Sequence, residues 1–76
     1  MTIKTDLEKW IVEALRELGN RAGIADICKH IWDHHEQELR ASGRYFYTWQ
    51  YDMRWAGQDL QRSGKLKKHA TFWELT

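Results

Sequence analysis

The side chains best suited to chemistry lie between Thr48 and Ser63. On a helix, at about 100° per residue, Tyr51, Arg54, Gln58 and Arg62 share one side, with Gln50 and Gln61 at its edge. This face carries guanidinium, amide and phenol groups and no carboxylate; Asp52 and Asp59 fall off it. A merely solvated face usually mixes both charge signs. Donors on a helix without acids suit phosphate oxygens and base edges.

A second cationic group follows. Lys65, Lys67 and Lys68 precede His69, and Arg44 stands upstream of the helix. Residues 1–39 hold five Lys/Arg against eight Asp/Glu, whereas residues 40–69 hold seven against two. A chain with net charge +1 is therefore strongly polarised, and its positive part points to a polyanion.

Other constellations are weaker. His30 and His34 are four residues apart, a spacing that can bring two imidazoles to one metal. Without a further Cys or His pair, a polar helix flank is the expected role, and no metal or other cofactor is expected. Cys28 falls on an apolar helix face and reads as a small core residue. His35 lies near the same buried side, where a bond to backbone is expected. The sequence contains no Ser/His/Asp set, paired-carboxylate cleft or glycine-rich phosphate loop, so no catalytic activity is expected.

The elements that must position these groups form one domain, residues 1–76. Five Trp supply burial that so short a chain otherwise lacks. A single cysteine allows no internal disulfide, which fits a reducing compartment. No apolar run approaches the roughly 20 residues of a membrane span, and no secretory signal opens the chain. A cytoplasmic location without membrane attachment is expected.

Thr5 to Leu18 reads as a first helix, with Leu7, Trp10, Ile11, Ala14, Leu15 and Leu18 as its apolar stripe. Thr5 and Glu8 form a capping-box pattern, and Gly19 is the expected stop. Asn20 to Gly23 is a connector with room for a minimal strand. A second helix is expected over Ala25–Leu39, its inner face Ile24, Ile27, Cys28 and Ile31. After Ala41-Ser42-Gly43, the third helix is expected from an N-cap at Thr48, leaving a connection of about nine residues. Its core stripe is Trp49, Met53, Ala56 and Leu60. Trp55 lies off that stripe; packing beneath a hairpin is expected, with a nucleic-acid contact as the alternative. Gly64 breaks the helix, and Lys65–Thr76 reads as that hairpin, with Trp73 and Leu75 on one face.

Three helices followed by a basic hairpin make an α+β winged helix-turn-helix. Arg54-Trp55-Ala56, Leu60, Ser63-Gly64-Lys65-Leu66 and Phe72-Trp73-Glu74-Leu75-Thr76 carry a further signal: through them the chain resembles the winged-helix domain at the N-terminus of Mrr-type restriction proteins. It departs at Thr71, where the family usually has Gly. The resemblance implies docking on double-stranded DNA, in domains that often precede a nuclease; no nuclease fits within these residues.

The expected function is binding of duplex DNA with the third helix in the major groove and the wing on the flanking backbone. Arg54 and Gln50 are the expected base readers, and Tyr51 and Gln58 share their face. Arg44, Arg62, Lys65, Lys67 and Lys68 are expected on phosphates. The competing expectation is a protein-interaction or dimerisation module, a homodimer included, using the first helix or the wing.

Overall fold

The computed structural model describes residues 3–76, with side chains from Asp6 onward. In chain order the elements are α1 (Ile3–Glu17), β1 (Arg21–Gly23), α2 (Ile24–Arg40), α3 (Tyr45–Arg62), β2 (Leu66–Lys68) and β3 (Phe72–Leu75). The strands form one antiparallel sheet in the order β1-β3-β2. This is a winged-helix arrangement: three helices, then a hairpin that recruits the short connector strand. Among the described residues, no helix is long and apolar enough to cross a membrane.

Helix α1 buries Leu7, Ile11, Ala14 and Leu15, as its stripe predicts. Two details differ from expectation. The helix already runs at Ile3, so Thr5 lies inside it rather than at its start. Leu18 is 40% exposed, because the helix ends before it. Gly19 takes φ +92°, and the Asn20 N–H donates to the Leu15 carbonyl, 2.6 Å away. That Schellman turn swings the chain off the helix and satisfies an orphan carbonyl. Asn20 then accepts a bond from the Leu75 N–H at 2.8 Å, tying the start of β1 to β3.

Helix α2 buries Ile27, Ile31 and Leu39. It is kinked at His35, whose φ of −132° and ψ of 24° are not helical. Cys28 is half-buried, with Sγ 3.6 Å from the Met53 sulfur, and burial raises its pKa above that of a free thiol. It packs between α2 and α3 as a small soft residue.

The α2–α3 connection is much shorter than expected. Only residues 41–44 separate the two helices. Thr48 is not the N-cap: it lies one turn inside α3, and its hydroxyl donates to Asp52 at 3.0 Å. Tyr45, Phe46 and Tyr47 form the first turn. Aromatics are mediocre helix formers, and the residue at the cap, Arg44, makes no side-chain cap bond. Tertiary packing overrides that deficit. Phe46 meets Trp32 at 6.1 Å between ring centroids, Trp32 stacks on Trp49 at 6.4 Å, and the Arg40 guanidinium lies over both Trp32 and Phe46.

Helix α3 buries Trp49, Met53, Ala56, Gly57 and Leu60 and packs chiefly against α1. It closes with a second Schellman turn: Gly64 has φ +80°, its N–H donates to Gln61, and the Lys65 N–H donates to Leu60 at 2.9 Å. Gly57 makes room for β3. A Cβ placed there would lie 2.5 Å from Cη2 and 2.7 Å from Cζ3 of Trp73, inside the buried indole. In an open helix Gly→Ala gains about 1 kcal/mol. Here overpacking against a rigid ring dominates, and Gly57→Ala is expected to lose roughly 1–3 kcal/mol net in urea denaturation. A gain in stability would show that the indole moves aside freely.

Candidate nucleic-acid interface

The outward side of α3 is the candidate interface. Gln50, Tyr51, Arg54 and Arg62 are exposed, Gln58 is half-buried, and Arg44 is exposed at the helix entrance. These residues share the long outer surface of one rigid element. The earlier start of α3 places them further from its N-terminus. Arg54 stands roughly two and a half turns in from Tyr45, mid-helix rather than near the N-terminus. Arg44 and Tyr47 now occupy the entrance, the end that meets base edges first in helix-turn-helix docking.

The two carboxylates of α3 lie toward one edge of this surface, and one of them reaches a residue on it. Asp52 accepts from Thr48, and Asp59 lies 3.6 Å from the Arg62 guanidinium. The Arg62 side chain is 71% exposed, so this pair leaves it reachable.

On the wing, the three lysines part company. Lys65 and Lys67 are exposed, whereas Lys68 is turned inward. The Lys68 ammonium lies 4.9 Å from the centroid of the Trp73 ring and 3.5 Å from the Arg54 carbonyl. Its backbone N–H donates to the Gln61 side chain at 3.0 Å. Burial, and then the nearby Arg54 charge, lower its pKa below the usual lysine value. Lys68 and Gln61 thus join β2 to α3 from the edge of the candidate face. Strand alternation from the buried Leu66 is the sequence signal for this, since it places residue 68 on the inner side. Glu74 stands opposite Lys67 in the register, and its carboxylate is 3.0 Å from His69 Nε2, so the hairpin is less positive than its lysines alone suggest.

Trp55 corrects another expectation. It is 52% exposed and meets Tyr51 edge to face at 6.3 Å, rather than packing beneath the hairpin. Trp73 takes the place under the wing, over Gly57.

The histidines arrange themselves differently from one another. His30 and His34 stack face to face at 4.0 Å, and His34 Nδ1 lies 2.9 Å from the His30 carbonyl. Lone pairs lie in the ring planes, so stacked rings do not converge on one ion. Among the described residues no group of three or more His, Cys, Asp or Glu is placed to hold a metal. Excess EDTA is expected to leave the thermal melt unchanged; a fall in Tm reversed by zinc would overturn this. His35 is bonded to carboxylates rather than to backbone: Nδ1 is 3.0 Å from Glu38, Nε2 is 3.1 Å from Glu13, and the ring stacks on Trp10. These contacts join α1 to α2 at the kink, away from the outer face of α3.

No protein-family model, curated protein or solved structure matches this chain.

Proposed function

We propose that this domain binds double-stranded DNA, with α3 in the major groove and the β2–β3 hairpin along the flanking backbone. One observation carries the reading. The exposed side of an 18-residue helix presents Gln50, Tyr51, Arg54 and Arg62, with Arg44 exposed just before it, while Asp52 accepts from Thr48 and Asp59 pairs with Arg62 at the edge of the face. Gln58 supports the same face from a half-buried position. Phosphate contacts fall to Arg44, Arg62, Lys65 and Lys67, and Lys68 braces the wing that carries its neighbours. The resemblance to the N-terminal domain of Mrr-type restriction proteins agrees with this reading. The role is binding and positioning rather than catalysis.

An electrophoretic shift with random duplex DNA at low and moderate salt tests the proposal. Retention at low salt should weaken steeply as salt rises, because phosphate contacts release counterions. No shift at either salt would sink it.

Base reading and phosphate holding separate by mutation. Arg54→Ala should cost roughly 1–3 kcal/mol on a selected site and little on random DNA. Lys65→Ala with Lys67→Ala should weaken all sequences alike and lower the salt slope by about one per charge. Wild-type affinity and slope in both variants would remove DNA as the partner of this face.

A further inference from the structure

The outer face of α3 carries more than hydrogen-bond donors. Tyr47, Tyr51 and Trp55 are 85%, 63% and 52% exposed. They follow one another at steps of four, so each ring is displaced by only about 40° around the helix and roughly 6 Å along it. The result is a line of three aromatic rings between Arg44 at one end and Arg62 at the other, with Arg54 beside it. Tyr51 and Trp55 touch edge to face, as do Phe46 and Tyr47 at 5.1 Å. None of these rings is stacked parallel on another.

Duplex DNA makes poor use of such a line. Paired bases bury their faces and offer only edges in the groove. Unpaired bases expose their faces, and every base stacks on an aromatic ring. The charge around the line selects the same occupant. Its exposed charged members are the three arginines; Asp59, four residues beyond Trp55, lies 3.6 Å from Arg62, and Asp52 accepts from Thr48. A strand that brings phosphates together with free base faces complements both features.

Resting on the duplex-binding reading above, we propose that Tyr47 and Trp55, on either side of Tyr51, form a stacking platform for unpaired nucleobases. The domain therefore favours duplex DNA carrying a single-stranded segment over fully paired duplex. Arg44 and Arg62 hold the backbone, and the rings take the bases that leave the stack.

Fluorescence anisotropy with two probes tests this: a blunt duplex, and the same duplex with a single-stranded tail. The wild type should bind the tailed probe more tightly, on the order of 10-fold. Tyr47→Ala combined with Trp55→Ala should bring the ratio of the two affinities to one, and Trp55→Phe should keep most of the preference. Both rings are exposed, so an unchanged circular-dichroism melt will confirm that the variants fold. Equal wild-type affinity for the two probes would overturn the platform and leave duplex binding standing. A preference that survives in the double variant would overturn it as well. Binding to neither probe, together with self-association that the double variant abolishes, would overturn both the platform and the duplex reading in favour of a protein interface.

Discussion

Trp73→Ala is expected to remove about 3–5 kcal/mol, a large part of the domain's stability. Trp73 is 1% exposed and occupies the central strand, opposite Ala22 on β1 and Lys68 on β2. Its ring lies against Gly57 of α3, and the Lys68 ammonium sits over it. One side chain thus joins both outer strands to the helix that carries the candidate interface. Truncating a buried Trp to Ala costs about 3–5 kcal/mol. A chain of 76 residues has a total stability of roughly 4–11 kcal/mol. Neighbours cannot refill the gap cheaply, because the helix residue beneath the indole is a glycine. Urea denaturation followed by far-UV circular dichroism measures the loss, and Trp73→Phe, which keeps an aromatic in place, should retain part of the stability. A loss below about 1 kcal/mol in Trp73→Ala would show that this ring is not the joint between sheet and helix.

The pairing of Trp73 with Gly57 also marks the limit of what the sequence discloses. Trp73 reads as buried because strand alternation and the neighbouring Leu75 place it on the inner face. Gly57 carries no such signal. Inside a helix it looks like a weak position, and only the ring opposite explains it. The stripes of α1 and α3 were legible because their apolar residues recur at helical spacing and have one core to face. The start of α3 was not. Tyr45 to Tyr47 have modest helix propensity and no capping side chain, and contacts with Trp32 and Trp49, distant in sequence, stabilise that turn. Propensity is a local quantity and cannot register such partners.

The same division holds at the candidate interface. The periodicity of α3 places Tyr51, Arg54 and Arg62 outward, and they are exposed. Charge counting treats Lys65, Lys67 and Lys68 as equals, and the fold does not. Lys68 is drawn in by an aromatic ring, a carbonyl and a glutamine from elements on either side. Tyr47 reads from the sequence either as a residue that stacks on bases or as one that closes a turn, and the start of α3 at Tyr45 puts it on the helix surface. Trp55 reads first as a residue covered by the wing and second as a nucleic-acid contact, and its 52% exposure favours the second.

Leu60→Ala is the second large effect, and it tests the phase of α3 directly. Leu60 is 2% exposed, on the side of the helix opposite Tyr51. Its carbonyl accepts from the Ser63 hydroxyl at 3.0 Å and from the Lys65 N–H at 2.9 Å, so it stands at the point where the helix turns into the wing. Removing the isobutyl group deletes buried area and leaves a cavity, at a cost on the order of 2–5 kcal/mol. The lower end of that range applies if the groove beside Leu60, lined by Val12, Gly64 and Leu75, closes over the gap. In a domain this small, each kcal/mol moves Tm by roughly 4–8 °C, so the melt should fall by about 8 °C or more. Leu60→Met nearly conserves volume and should cost below about 1.5 kcal/mol. Loosening the end of α3 also loosens Lys65 and Lys67 on the hairpin. At a temperature where Leu60→Ala is still folded, its duplex affinity should therefore fall more than that of Leu60→Met. A Leu60→Ala protein that melts within a degree or two of wild type would mean that Leu60 is not in the core. The face bearing Tyr51, Arg54 and Arg62 would then no longer be the outward one.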